Sequence, residues 1–276
     1  MHRRRALAAL ATGVGAVLAG TAIAAGRYRL RAGATMIREY TYAKLRLRAD
    51  RRGLSAHPMQ YLLARPHAGN ARMGIISLDG ADHDFPWNCG AFVRAVGDRP
   101  IVIATPYIVS NGGRRPPSAY PYLASTMAMA NRAPLEFDVA GVTALVHELR
   151  SMFSLSVLYF SAYSAGGHLG WKLALDAPQL WSGVALACAN FAARGLDTEA
   201  IGPSQAFPGP IALPIRRFQG ALDSRRAILD EQWQAGVALA RTRGFTNLTE
   251  ALVPDAAHSP CARAVIDWCS AARSMP

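Results

Sequence analysis

One serine in this 276-residue chain stands in a setting that suits a nucleophile. The stretch from Leu158 to Trp171 reads LYFSAYSAGGHLGW: β-forming residues, then Ser164 enclosed by alanines and glycines, then residues that begin a helix. A serine at the tip of a sharp strand-to-helix turn projects its hydroxyl away from the sheet. The tight backbone there excludes bulky neighbours two positions before and after it. Ala162 and Gly166 occupy those positions, with alanine at the first, where glycine is usual. The helix that follows aims its free N–H groups and the positive end of its dipole back at the serine, where an oxyanion would develop. The Ala165 N–H is the first candidate donor.

A serine hydroxyl needs a base, and the base needs an orienting carboxylate. Both are expected in loops at the C-terminal ends of later strands, in the chain order Ser, Asp, His. Asp223 follows the strand-like segment LPIRRFQ, and His258 follows the last such segment, in PDAAHSP. Asp230 and Asp255 are rival acids: the first falls inside a helix, the second lies close to His258, and position favours Asp223. The second oxyanion donor is expected from the loop after MGIISLD, with the Gly80 and Ala81 N–H groups as candidates. The other histidines read more plainly. His168 lies one helical turn past Ser164 and suits packing, while His147 falls on the outer face of an amphipathic helix. His83, between Asp82 and Asp84, could reach the site, but contiguous ligands without a spaced partner are a poor metal signal. Asp84 suits the cap of a helix starting at Pro86.

These residues require a sheet to position them. Strand-like runs occupy 59–65, 73–79, 100–109, 156–162, 183–189, 213–219 and 246–253. Helical spacing links Val139, Val142, Leu145, Val146 and Leu149, and again Leu229, Trp233, Gly236, Val237 and Ala240, with Gly244 as a stop. A last helix is expected with Ser259 as cap, Pro260 at its first position and a stripe of Ala262, Val265, Ile266 and Cys269. Alternating strands and helices imply an α/β fold with a mostly parallel sheet covered on both faces. Two long Gly/Pro-rich segments, 110–134 and 190–212, follow strand ends. That is the edge where open α/β sheets bind ligands.

The formal charge of +12 is not a nucleic-acid signature, because of where it sits. Residues 1–52 hold twelve Lys or Arg against Glu39 and Asp50, a net of +10, which leaves +2 for the rest. The segment HRRR, an apolar stretch from Ala6 to Ala25 and then RYRLR read as an export signal or a membrane anchor over 1–26. A basic linker is expected over 27–52 and a catalytic domain over 53–276. The Ala- and Gly-rich apolar stretch suits a twin-arginine signal, with Ala22 and Ala24 forming an A-x-A cleavage site, so the body is expected to be exported. Cys89, Cys188, Cys261 and Cys269 contain no C-x-x-C pair, which argues against structural zinc and leaves four buried thiols as the plain reading. In an exported body a Cys89–Cys261 disulfide is geometrically conceivable.

Residues 59–272 resemble the α/β-hydrolase superfamily. The stretch from Phe137 to Ala189 is most similar to the branch of polyhydroxybutyrate depolymerases, feruloyl esterases and related secreted esterases. The resemblance implies an eight-stranded, mostly parallel sheet with a short cap insertion, a Ser164–His258–Asp223 triad, an acyl-enzyme and no cofactor or metal. The implied partner is a small or polymeric carboxylic ester. The chain departs from that pattern at Ala162, at Asp79, where histidine is common, and at Arg216 and Arg217, which interrupt an apolar strand. An oligopeptidase-like enzyme and a catalytically silent binding protein are the alternatives.

Overall fold

The computed structural model describes residues 36–42, 45–66, 70–112, 120–191, 201, 207 and 209–272. Nine strands form one sheet: β1 (Met36–Tyr42), β2 (Leu45–Gly53), β3 (Gln60–Ala64), β4 (Met73–Leu78), β5 (Ile101–Pro106), β6 (Val157–Tyr163), β7 (Gly183–Ala187), β8 (Ile215–Gly220) and β9 (Leu248–Val253). Their order across the sheet is β1-β2-β3-β5-β4-β6-β7-β8-β9. The first three strands run antiparallel to their neighbours, and every pairing from β5 to β9 is parallel.

The strands of the expected run are all present, and β4 and β5 are buried along their whole length, as strands covered on both faces must be. The helices are α1 (Phe85–Val96), α2 (Ala124–Arg132), α3 (Pro134–Phe153), α4 (Gly167–Asp176), α5 (Arg226–Thr242) and α6 (Ala262–Ala272). Helices α1 and α6 pack together on one face, while α4 lies against β6 and β7 on the other. Helix α5 joins α4 through the Trp171–Trp233 ring contact. That contact is why the α5 stripe contains Gly236: a Cβ there would lie 2.4 Å from the Trp171 ring.

Four expectations need correction. The stretch 27–52 is not wholly a linker, because β1 and most of β2 lie in it and extend the sheet to nine strands rather than eight. The long segment 110–134 contains α2, and residues 113–119 lie outside the described residues, as does most of 190–212. The last helix starts at Ala262 rather than Pro260, since Cys261 has a left-handed φ of 46° that interrupts a helical path from Pro260. The arginines of β8 do not break the strand: Arg217 is buried and neutralised by Asp230, with Glu250 3.5 Å away.

Candidate active site

The turn between β6 and α4 carries Ser164 at φ 50°, a left-handed conformation that non-glycine residues seldom adopt. A single 3-10 turn, Ser164–Gly166, leads into α4. Each small residue around it has a steric reason. A Cβ at Gly166 would stand 2.4 Å from the Asp79 carbonyl oxygen, and one at Gly167 2.3 Å from that of Asn190. Ala162 replaces the usual glycine because the space it needs is left by the helix: a Cβ at Gly170 would lie 2.6 Å from the Ala162 methyl. The methyl and the missing methyl are complementary.

Ser164, His258 and Asp223 are brought together in one hydrogen-bonded line. His258 Nε2 is 2.8 Å from Ser164 Oγ, and His258 Nδ1 is 2.8 Å from Asp223 Oδ2. With Nδ1 protonated, the ring donates to the carboxylate and presents a free lone pair to the serine hydroxyl. Ser164 and Asp223 are buried, and the His258 side chain is 18% exposed. The Tyr163 hydroxyl donates to the His258 carbonyl at 3.1 Å, tying the histidine loop to the residue before the serine. Of the rival acids, Asp230 pairs with Arg217, and Asp255 is exposed.

The electrostatics follow from these contacts. Burial pushes the Asp223 carboxyl up, but hydrogen bonds from His258, the Arg225 N–H and Gln219 outweigh it and hold it below its ordinary value. Burial pulls His258 down, yet its contacts with Cys188 and Asp223 leave it above its ordinary 6.5. Behind the acid stand two side chains with no counterpart among the expected site residues. Gln219 Nε2 donates to Asp223 Oδ2 at 3.0 Å, and Arg217 Nη2 donates to Gln219 Oε1 at 2.9 Å. The arginine fixes which end of the amide faces the carboxylate.

The loop after β4 lies against the serine. A Cβ on Gly80 would lie 3.0 Å from Ser164 Cβ and 3.2 Å from the Tyr163 ring, so a side chain there would press on the serine turn. Asn111, buried after β5, donates through Nδ2 to the carbonyls of Gly80 at 2.6 Å and Asp79 at 3.4 Å. In a trans peptide the C=O and the next N–H point in opposite directions. Those two carbonyls therefore belong to the peptides carrying the Ala81 and Gly80 N–H groups, and Asn111 holds both. Asp138 in turn holds the approach to Asn111 by accepting from the Val109 and Ser110 N–H groups at 2.8 and 2.7 Å. Ala165 opens the turn that leads into α4, where N–H groups have no partner within the helix.

His168 is buried with Nδ1 3.3 Å from the Phe191 carbonyl, and His147 is exposed. His83 is also buried, 2.6 Å from the Tyr120 hydroxyl. Asp84 caps α1 by accepting from the Trp87 N–H at 3.1 Å. The cysteines depart from the conceived pairing. All four are free thiols, Cys89 lies within α1, and Cys261 neighbours Cys188 instead.

No family model matches the sequence, and no curated protein matches it either. Solved structures do match. A cold-adapted esterase from an Arctic intertidal metagenomic library superposes with a TM-score of 0.56 at 14% identity, covering 85% of this chain and 97% of that one. A dienelactone hydrolase from Anabaena variabilis gives 0.53 at 13% identity, covering 82% and 95%. An α/β serine hydrolase homologue from Coxiella burnetii gives 0.50 at 14% identity, covering 86% and 100%. The chain has the α/β-hydrolase fold. Relative to the expected eight strands, this α/β-hydrolase fold carries β1 as an addition at the antiparallel edge. Its serine turn lies at the C-terminal end of β6, the strand beside β4 in the parallel part of the sheet.

Proposed function

We propose that the chain is a serine hydrolase of carboxylic esters. The reading rests above all on the line from Ser164 Oγ through His258 to Asp223, with both links at 2.8 Å and the serine held at positive φ. Ser164 attacks the acyl carbon while His258 takes its proton. The Ala165 N–H, with an N–H from Gly80 or Ala81, stabilises the tetrahedral oxyanion. The alcohol leaves with the proton from His258, and water attacks the acyl-enzyme by the same route in reverse. Asp223 keeps the Nδ1 proton on its own side and stabilises the imidazolium.

Within esters, the resemblance of Phe137 to Ala189 favours the depolymerase and feruloyl esterase branch, and thus bulky or polymeric acyl groups. The arrangement of HRRR before an Ala-rich stretch supports export. Residues 1–26 lie outside the described residues, and no described helix is long and apolar enough to cross a membrane. A fluorophosphonate probe tests the reading. Labelling at Ser164 with hydrolysis of p-nitrophenyl esters is the expected result, and a folded chain that is neither labelled nor active refutes it. Comparing a feruloyl ester, a short polyester and a peptide then separates the proposed branch from an oligopeptidase.

A further inference from the structure

Two thiols stand beside the histidine and acid without a part in the proposed chemistry. Cys188 follows β7 and Cys261 follows the His258 loop, and both adopt left-handed backbone, φ 44° and 46°. Cys188 is fully buried, and the Cys261 thiol is its neighbour. The Cys188 Sγ, a carboxylate oxygen of Asp223 and a ring nitrogen of His258 all lie within 4.8 Å of one another. One sulfur, one imidazole nitrogen and one carboxylate oxygen make a three-ligand set of the kind that favours Zn²⁺ or Cd²⁺ over Mg²⁺ or Ca²⁺. Open space lies beside it, on the side of Cys261. A cavity of ≈ 390 Å³ is lined by Trp87, Ala256, Ser259 and Cys261, and the His258 ring is itself partly exposed.

We infer that Cys188, His258 and Asp223 form a site for a thiophilic divalent cation, and that a cation bound there switches the serine off. The effect on activity rests on the ester hydrolase reading; the binding does not. On binding, the Cys188 thiol loses its proton to solvent and becomes a thiolate ligand. The carboxylate supplies an oxygen and the imidazole a nitrogen lone pair, with no change in oxidation state. Whichever ring nitrogen the cation takes, the base is lost. Coordination at Nδ1 leaves the proton on Nε2, which then cannot accept from Ser164, and coordination at Nε2 occupies the accepting lone pair directly.

The test is a Cd²⁺ titration of the full chain, reduced with a phosphine and freed of metal. A thiolate-to-cadmium charge-transfer band should grow to one equivalent, ester hydrolysis should fall in step with it, and EDTA should reverse both. Cys188→Ala and Cys188→Ser, each compared with its own metal-free rate, should need at least about tenfold more Cd²⁺ for half the effect. Two variants are used so that misfolding of one leaves the test intact. Ser164→Ala should keep the full band. A band in a chain without ester hydrolysis therefore supports the cation site while refuting the hydrolase reading. Absence of the band, or inhibition with undiminished Cd²⁺ sensitivity in both cysteine variants, overturns the inference.

Discussion

Gly170→Ala tests why this serine turn tolerates alanine at 162. The added methyl would lie 2.6 Å from the Ala162 Cβ and 3.3 Å from Leu186 Cδ2 and the Phe160 ring, inside a core where Ala162 is fully buried. Overpacking of this kind costs about 1–3 kcal/mol. Replacing glycine by alanine within a helix returns about 0.8–1 kcal/mol. The single variant should thus lose roughly 0–2 kcal/mol, or up to about 4 °C in melting temperature for a domain of this size. Ala162→Gly alone should lose about 1–2 kcal/mol, from the buried methyl and the freer strand backbone. The double variant restores one methyl between β6 and α4 and removes the clash, so it should lie within about 1 kcal/mol of the parent. Urea unfolding of the four proteins gives the coupling energy, expected at 1 kcal/mol or more in the rescuing direction. If the two effects simply add, Ala162 and Gly170 are not complementary, and the account of the alanine is wrong.

Ser164→Ala and His258→Ala should each remove ester hydrolysis by several orders of magnitude with the fold kept, and Asp223→Asn should cost less; if Asp255→Asn is the variant that loses activity, the acid is misassigned. The pH dependence of kcat/KM should show an acid limb above 6.5, because protonated His258 cannot accept the serine proton. The sign for stability is opposite: a histidine raised in the folded state contributes stability that is full below 6.5 and fades as pH rises through the raised value, which urea midpoints across that window would reveal. Asn111→Ala should lower kcat about tenfold to a hundredfold with a smaller change in KM, since it frees the peptides of Gly80 and Ala81, and a loss confined to KM would refute that role. Changing Arg3, Arg4 and Arg5 together to Lys should trap precursor in the cell, while changing Arg27, Arg29 and Arg31 should do much less; equal processing of both variants would rule out twin-arginine export.

The strands were legible because those buried on both faces read as continuous apolar runs, and β4, β5 and β6 carry that signal along nearly their whole length. Ser164, Asp223 and His258 were legible because each stands in the turn or loop after a strand-like segment, β6, β8 and β9, so chain order became spatial order. β1 and β2 were missed although Leu45, Leu47 and Ala49 alternate with Arg46, Arg48 and Asp50 as in a strand with one solvated face, because the density of arginine reads as a basic linker. Three further features come from contacts between residues remote in sequence. Asn111 reaches across to Gly80, Arg217 reads as a defect until Asp230 and Gln219 are placed around it, and Cys188 meets Cys261 only when the sheet is assembled. No local spacing encodes those meetings.

The row from Asp230 through Arg217 and Gln219 to Asp223 limits how this strand can change over generations. Asp230 is 44% exposed, whereas the other three are buried, so the row runs from the surface of α5 to the carboxylate that holds His258. Arg217 without Gln219 would lose an acceptor for a buried cation, and Gln219 without Arg217 would lose the contact that sets its amide the right way round. Neither residue is exchanged cheaply alone. Descendants of this sequence should keep the two together or replace them together, and a drift at Asp230, on the outside of the molecule, should be felt at Ser164.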